Sequence, residues 1–453
     1  MWPESQTSSG LLVDLYHLDA AYVSWRTGQN APATFDLYTR SAPFDGAYLL
    51  VAGLEPALAF VRDFRYSEAD LASLARIRSY DPAFLEELRH FRFSGDILAM
   101  PEGTVAFANE PLLRVTGPFR EALLLESGLL RAIGVSTLIA KAARLVDAAT
   151  GREVADFGFR RAQDPYLAAR AAFIGGCTST SFVGGAKIFG LPSGGTIPHA
   201  LVQAYPTEEA AFRAVAESLD RYSLLLDTYD VHAAIETAVD VARDARARLG
   251  HELVAVRLDS GDLLVDSRYV RQVLDEAGLH DTRVLVSGDI DEFRIAELLA
   301  AEAPIAGFGV GGNLAVGLGS AASGTVGGVL GAIYKLVWYE GTGNPARIKL
   351  AGEKSTWPGR KQVYRIGEFQ EDVIQLDDEP VPTNATPLLQ PVVQDGKHIA
   401  DRPSLPEIQR RVVANVQALP EHFRDLHNPA PYPVLRSAGL LELRERASQQ
   451  WRD

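Results

Sequence analysis

Two rhythms of apolar and polar residues divide the chain. Over residues 11–25 (LLVDLYHLDAAYVSW) apolar residues recur at helical spacing, with Asp14, His17 and Asp19 interleaved. Strand-like pieces follow at 34–38 and 47–52, then helical patterns at 54–63, 67–78 and 82–91. Residues 95–116 read as short strands with Pro and Gly turns. The stretch 119–148 reads as one long helical run, with Gly151 as its stop. The first 150 residues therefore predict a mixed α+β unit. After about residue 220 the rhythm changes. SLLLDTYD (223–230), LVAVRLDSGD (253–262), RVLVSGD (283–289) and PIAGFGVGG (304–312) are short apolar runs. Helical patterns at 231–249, from 263 to about 277 and at 290–302 separate them. This alternation predicts βαβ units and a parallel sheet.

Each of these runs ends in polar or glycine residues: Asp227 and Asp230, Asp259 and Asp262, Ser287 and Asp289, Gly309 and Gly311. At any one end such residues serve turns and helix caps routinely. Four ends in a row predict one shared site, because a parallel sheet presents ligands with the carboxyl ends of its strands. Beyond residue 312 the chain is Gly-rich to 331, then carries the apolar run AIYKLVWYE (332–340). Residues 341–365 are basic and turn-rich, and an acidic, Pro-rich stretch runs from 370 to about 406. Amphipathic helical patterns at 405–418 and 433–448 end the chain.

Composition narrows the function classes. A chain of 453 residues suggests two or three domains at roughly 150 residues each. The formal net charge of −14 argues against a nucleic-acid partner, which calls for a basic patch. A small phosphorylated substrate is compatible, since it needs only a few local cations and backbone N–H groups. Cys177 is the single cysteine, so no intramolecular disulfide forms, which fits a reducing cytosol. The start MWPESQTSSG lacks the basic and apolar segments of a signal peptide. No charge-free stretch of about 20 apolar residues is present. The expectation is a cytoplasmic protein with no membrane span.

Three short segments carry candidate chemistry. Gly307-x-Gly309-x-x-Gly312 formally matches a dinucleotide fingerprint, but glycines rather than a helical pattern follow it, and no ribose-clamping acid stands about 20 residues on. A backbone cradle for a phosphate suits these glycines better, beside the plain alternative of a tight turn. His199 lies in the glycine-rich loop Gly194-Gly195-Thr196-Ile197-Pro198, where an imidazole is free to act as base, shuttle or nucleophile. Taken alone, a loop histidine is more often a surface or capping residue. Phe157-Gly158-Phe159-Arg160-Arg161 reads as a short extended run whose aromatics and cations suit a flat anionic ring, or equally a strand with one buried Phe. Metal-ligand spacings such as HxxxH, HExxH and CxxC are absent, so no protein metal site is assigned. Gly-x-Ser-x-Gly and the Walker A pattern are absent too.

In chain order these segments resemble the nicotinate phosphoribosyltransferase family, over residues 11–365. Leu12-Val13-Asp14-Leu15-Tyr16 is similar to the family's TDLYQ segment, and Phe157 to Arg161 to its FGxRR segment. Gly195 to His199 resembles GTxxHS, and Arg257-Leu258-Asp259-Ser260-Gly261-Asp262 is an intact RxDSGD. Phe308 to Gly311 resembles the phosphate loop. Tyr334-Lys335-Leu336-Val337 and Trp357-Pro358-Gly359-Arg360-Lys361 match later family segments. The chain departs from the pattern at four places. Gly312 stands where the loop's Thr would sit, Ala200 follows the histidine in place of Ser, Phe182 replaces an Asn, and His17 replaces the Gln after the Tyr.

The resemblance, with the rhythm above, implies an α/β chain. An irregular (β/α) barrel-like domain with parallel strands spans 151–340, and an α+β domain is built from 1–150 with part of 341–453, whose helices pack back on it. It implies transfer from 5-phosphoribosyl 1-diphosphate to nicotinate, with Mg²⁺ as cofactor and ATP as co-substrate through a phosphohistidine, in a homodimer with shared active sites. His199, Asp259 and Arg257 receive catalytic roles. Substrate contacts fall to Tyr16, Phe157, Arg160, Thr196, Ser260, Asp262, Ser287, Gly309, Gly311 and Gly312. Nicotinamide or quinolinate as the base, and a non-catalytic nucleotide-binding homologue, are the alternatives.

Overall fold

A computed structural model describes residues 9–319, 328–350 and 355–450. The chain divides into two compact units, one of residues 1–140 with 329–453 and the other of residues 141–328. No helix among the described residues is long and apolar enough to cross a membrane.

The first unit holds an antiparallel six-stranded sheet around the strand Pro32–Thr39, with a four-stranded sheet around Lys361–Ile366. Seven of the eight residues of Pro32–Thr39 are buried, polar Thr34, Asp36 and Thr39 among them. Helices Leu54–Asp63, Glu68–Ile77 and Pro82–Arg89 match the predicted periodic stretches, and Ser67 and Asp81 cap the last two. The long run predicted for 119–148 is instead three helices, Phe119–Leu124, Glu126–Ile139 and Ala142–Ala148. The last break coincides with the boundary between units, where Lys141 turns away to pair with Glu292 at 3.0 Å. The strand Ala332–Tyr339, assigned above to the barrel-like domain, belongs to this unit and pairs antiparallel with Pro32–Thr39. Its Tyr334 ring stacks on Phe35 at 4.8 Å and its hydroxyl donates to the carbonyl of Ala122.

A buried carboxyl in this unit gives a pH-dependent expectation. Glu110 is fully buried, accepts from the N–H of Phe107 and lies beside Asp372, which Arg365 and Tyr432 hold. Burial first, and the Asp372 charge second, hold its carboxyl well above the usual range. The stability this proton contributes is present below the unfolded pKa of about 4.3 and is lost as pH rises through the folded value. Glu110→Gln should therefore lose less melting temperature than the parent between pH 5 and pH 8. Parallel curves of Tm against pH for the two proteins would show that Glu110 does not carry the effect.

The second unit is built on a six-stranded parallel sheet. Its strands are β1 (Glu153–Asp156), β2 (Ser179–Thr180), β3 (Arg221–Leu225), β4 (Glu252–Leu258), β5 (Arg283–Val286) and β6 (Gly307–Val310), in the spatial order β2-β1-β6-β5-β4-β3. The last four are the strands that the alternation predicts. Helices Val231–Leu249, Leu263–Glu276 and Glu292–Ala300 connect them. Asp230, Asp262 and Asp291 accept from backbone N–H groups to start these helices, and Gly250, with φ of 74°, ends the first. Some of the carboxylates at the strand ends are thus helix caps, and the remainder are free for chemistry.

Candidate active site

β1, β6, β5 and β4 are consecutive neighbours in the parallel sheet, so their carboxyl ends open on one rim. A cavity of about 500 Å³ lies there. Phe157, Phe159, Arg160 and Arg161 reach it after β1, and Arg257 and Asp259 reach it from β4. Ser287 and Asp289 follow β5, and Gly309, Gly311 and Gly312 come from β6 and its exit. Thr196 and His199 complete the lining from the loop that leads into the short helix His199–Gln203.

The polar groups form a connected set. Ser287 Oγ donates a short hydrogen bond to Asp259 Oδ1. The other Asp259 oxygen is 3.9 Å from His199 Nε2, a charge contact rather than a hydrogen bond. His199 Nδ1 lies 3.2 Å from the hydroxyl of Thr228, just past β3. The imidazole is therefore steered from both nitrogens while its side chain stays 38% exposed, as a group that must meet a ligand requires. Burial lowers the pKa of Arg257, Asp259 and Asp227 oppose this, and neighbouring Arg160 adds to it. A guanidinium so placed remains charged. Arg257 Nε and Thr196 Oγ1 are buried without a hydrogen-bond partner among the described residues. Each such atom costs about 1–3 kcal/mol unless a partner is supplied, which fits a polar ligand entering this cavity.

The aromatic side is equally constrained. Phe157 N–H donates to the carbonyl of Val310, and its ring lies where a side chain on Gly309 would begin, 2.4 Å from that Cβ position. Only a residue without Cβ permits this approach. Phe159, Arg160 and Arg161 form one turn of 3₁₀ helix, not the extended run that the sequence suggested. The turn is set by Asp156, whose buried carboxylate accepts from Gly158 N–H and Thr180 Oγ1, both at 2.8 Å. Burial raises the pKa of Asp156, and the two donors work against that rise. Phe182 stacks flat on Phe159, with centroids 4.3 Å apart and planes 6° apart.

Three predicted site residues are not among those that line the cavity. Ser260 donates to Asp227 Oδ2 at 2.5 Å, and Asp262 caps helix Leu263–Glu276; neither lines the cavity. Tyr16 belongs to the first unit, on helix Leu15–Arg26, as an exposed residue with its ring centred 4.0 Å from that of His17. Among the described residues no group of three or more His, Cys, Asp or Glu is arranged to hold a metal ion.

Comparison with known proteins places the chain. The family model for the nicotinate phosphoribosyltransferase N-terminal domain matches residues 11–134, and that for the C-terminal domain matches residues 379–444. A nicotinate phosphoribosyltransferase of Mycobacterium tuberculosis is 38% identical over 440 residues, covering 95% of this chain and 92% of its own. The chain belongs to the nicotinate phosphoribosyltransferase family. A Bacillus subtilis nicotinate phosphoribosyltransferase is 37% identical, with 94% of this chain and 92% of its own covered. The crystal structure of the human nicotinic acid phosphoribosyltransferase superposes with a TM-score of 0.82 at 29% identity, over 96% of this chain and 99% of that one.

Within this family framework, three residues of the site received no individual role from sequence, although Asp289 was named among the strand ends and Arg161 within its segment. Thr228 is the partner of His199, and its only signal was its place beside Asp227 at a strand end. Asp289 brings a second carboxylate to the cavity, more exposed than the half-buried Asp259. Arg161 lines the cavity beside Arg160, and a pair of adjacent cations gave no means of telling which would face which group.

Proposed function

We propose that this protein transfers the phosphoribosyl group of 5-phosphoribosyl 1-diphosphate to nicotinate, yielding nicotinate mononucleotide and diphosphate, with ATP consumed through a phosphorylated His199. The observation that carries the reading is the meeting of Phe157, Arg257, Asp259 and the Gly309–Gly312 backbone, from three separate strand ends, in one cavity. The pyridine nitrogen attacks the ribosyl carbon as its bond to the diphosphate oxygen breaks, so no strong general base is required. Positive charge develops on the ribose, and Asp259, held by Ser287, is the carboxylate positioned to offset it. Phe157 offers its ring to the pyridine, and Arg160 or Arg257 offers a planar fork to the nicotinate carboxylate. Tyr16, supplied across a homodimer, belongs to the same reading.

A Mg²⁺ ion suits these residues, because it takes one or two carboxylates and leaves its other positions to substrate phosphates. Asp259 and Asp289 are the cavity carboxylates that would hold it. Its contribution when bound is to neutralise the departing diphosphate.

In the ATP step a nitrogen of His199 bonds to the γ-phosphorus as the P–O bond to ADP breaks. Purified protein incubated with phosphoribosyl diphosphate, Mg²⁺ and nicotinate, nicotinamide or quinolinate, with and without ATP, tests the whole reading. Nicotinate alone should give its mononucleotide, faster with ATP, and no product from nicotinate would refute it. His199→Ala is expected to abolish the ATP stimulation and the acid-labile phosphate on the protein while retaining basal transfer. Stimulation that survives this change would exclude His199 as the phosphoryl acceptor.

A further inference from the structure

Phe182 stands where the family pattern has an Asn, between β2 and the helix Val183–Phe189. Its N–H donates to Thr180 Oγ1 at 3.1 Å, and the same hydroxyl donates to Asp156. Its ring is buried and held on several sides. One face lies flat on Phe159, and Tyr166 of helix Pro165–Ile174 meets the ring edge-on, with centroids 5.0 Å apart. A Cβ on Gly184 would lie 2.8 Å from the ring and one on Gly185 2.7 Å from it, so these glycines let the ring lie against the start of its own helix. An asparagine at 182 has no ring to stack on Phe159.

The turn Phe159–Arg161 is short and closes on Gly158, whose carbonyl accepts from the N–H groups of Arg161 and Ala162. Asp156 fixes the backbone at Gly158, and Phe182 fixes the first side chain of the turn. Phe159 has little other support, because its ring is 47% exposed and lines the cavity. Arg160 follows it directly and lines the same cavity. A guanidinium recognises an anion through two parallel donors, so a shift of about an ångström in the backbone beneath it weakens the pairing.

We propose that Phe182 is a positioning residue for the site: its ring fixes Phe159, and through it the turn that aims Arg160 into the cavity. The kinetic part of the inference rests on the phosphoribosyl-transfer reading above, and the order of the turn does not.

The test combines KM and kcat for each substrate with timed trypsin digestion. Arg160→Ala first identifies the substrate this guanidinium meets, as the one whose KM rises most. Phe182→Leu keeps apolar bulk but cannot stack flat, and should raise that same KM about 3- to 10-fold, with kcat and the other KM within about twofold of the parent. Phe182→Tyr keeps the flat ring and should behave like the parent. Phe182→Leu added to Arg160→Ala should be no worse than Arg160→Ala alone, because the first acts through the second. Trypsin should cleave after Arg160 and Arg161 faster in Phe182→Leu than in the parent by a similar factor, since the turn opens more often. Equal rises in both KM values, an unchanged KM in Phe182→Leu, fully additive losses, or no KM that responds to Arg160→Ala would each overturn the proposal. If the protein turns over no nicotinate while these bonds are cleaved faster in Phe182→Leu, the transfer reading fails and the positioning of the turn stands. Unchanged cleavage overturns the positioning itself.

Discussion

Asp259→Asn is expected to lower kcat by about 10²- to 10³-fold with little change in melting temperature. The amide is nearly the same shape as the carboxylate, and its oxygen can still accept from Ser287 Oγ, so the geometry at the end of β4 should persist. What disappears is the negative charge. Asp259 is the cavity carboxylate that contacts both Ser287 and His199, and in the function proposed above its charge offsets a ribosyl centre that becomes electron-poor as diphosphate leaves. A preorganised charge acts mainly on the transition state, so KM for phosphoribosyl diphosphate should move far less than kcat. Ser287→Ala supplies the comparison, since it frees the Asp259 side chain and keeps its charge. Its loss should be smaller. A fall of less than about tenfold in Asp259→Asn, with the fold intact, would show that the charge is not the catalytic element.

Lys361→Met is expected to destabilise the protein by about 3–5 kcal/mol. Lys361 Nζ lies 2.8 Å from Asp36 Oδ2, with side-chain exposures of 4% and 1%. The ammonium also donates to the carbonyls of Trp357 and Gly359, each at 2.8 Å, so it ties its own turn to the strand that carries Asp36. The family-like segment Trp357 to Lys361 is therefore a structural clamp of the first unit. Burial lowers the pKa of Lys361 and raises that of Asp36, and each partner works against the other's shift. Once Lys361 is gone, Asp36 is left charged in an apolar setting and its folded pKa rises further. The loss in the variant should be full at neutral pH and shrink as acid protonates Asp36, because a neutral carboxyl is cheaper to bury. Adding Asp36→Leu to Lys361→Met should recover most of the loss. Urea unfolding at pH 7 and pH 5 measures both effects, and equal stability of Lys361→Met and the parent at pH 7 would contradict them.

The sequence by itself determined the elements whose cause lies within a few neighbouring residues. Helices Leu54–Asp63, Val231–Leu249 and Leu405–Ala418 were legible because their apolar residues repeat at helical spacing and capping residues such as Asp230 and Gly250 mark their ends. The four strands β3 to β6 were legible from short apolar runs at regular intervals, and the polar ends of β4, β5 and β6 meet in one cavity as expected, whereas Asp227 and Asp230 after β3 do not line it. Only the tertiary structure decided which of those polar groups face the cavity. Asp259 and Asp262 stand three residues apart, yet one meets Ser287 and His199 while the other caps a helix. The partners that separate them lie 28 and 60 residues away from Asp259 for the first and 2 residues away from Asp262 for the second. The same holds for Thr228 on His199, for Phe182 on Phe159, and for Ala332–Tyr339, whose sheet was settled by pairing with a strand about 300 residues earlier. Periodicity records how a segment meets solvent and core, whereas a contact between distant segments is written in two places at once and becomes visible only when folding brings them together.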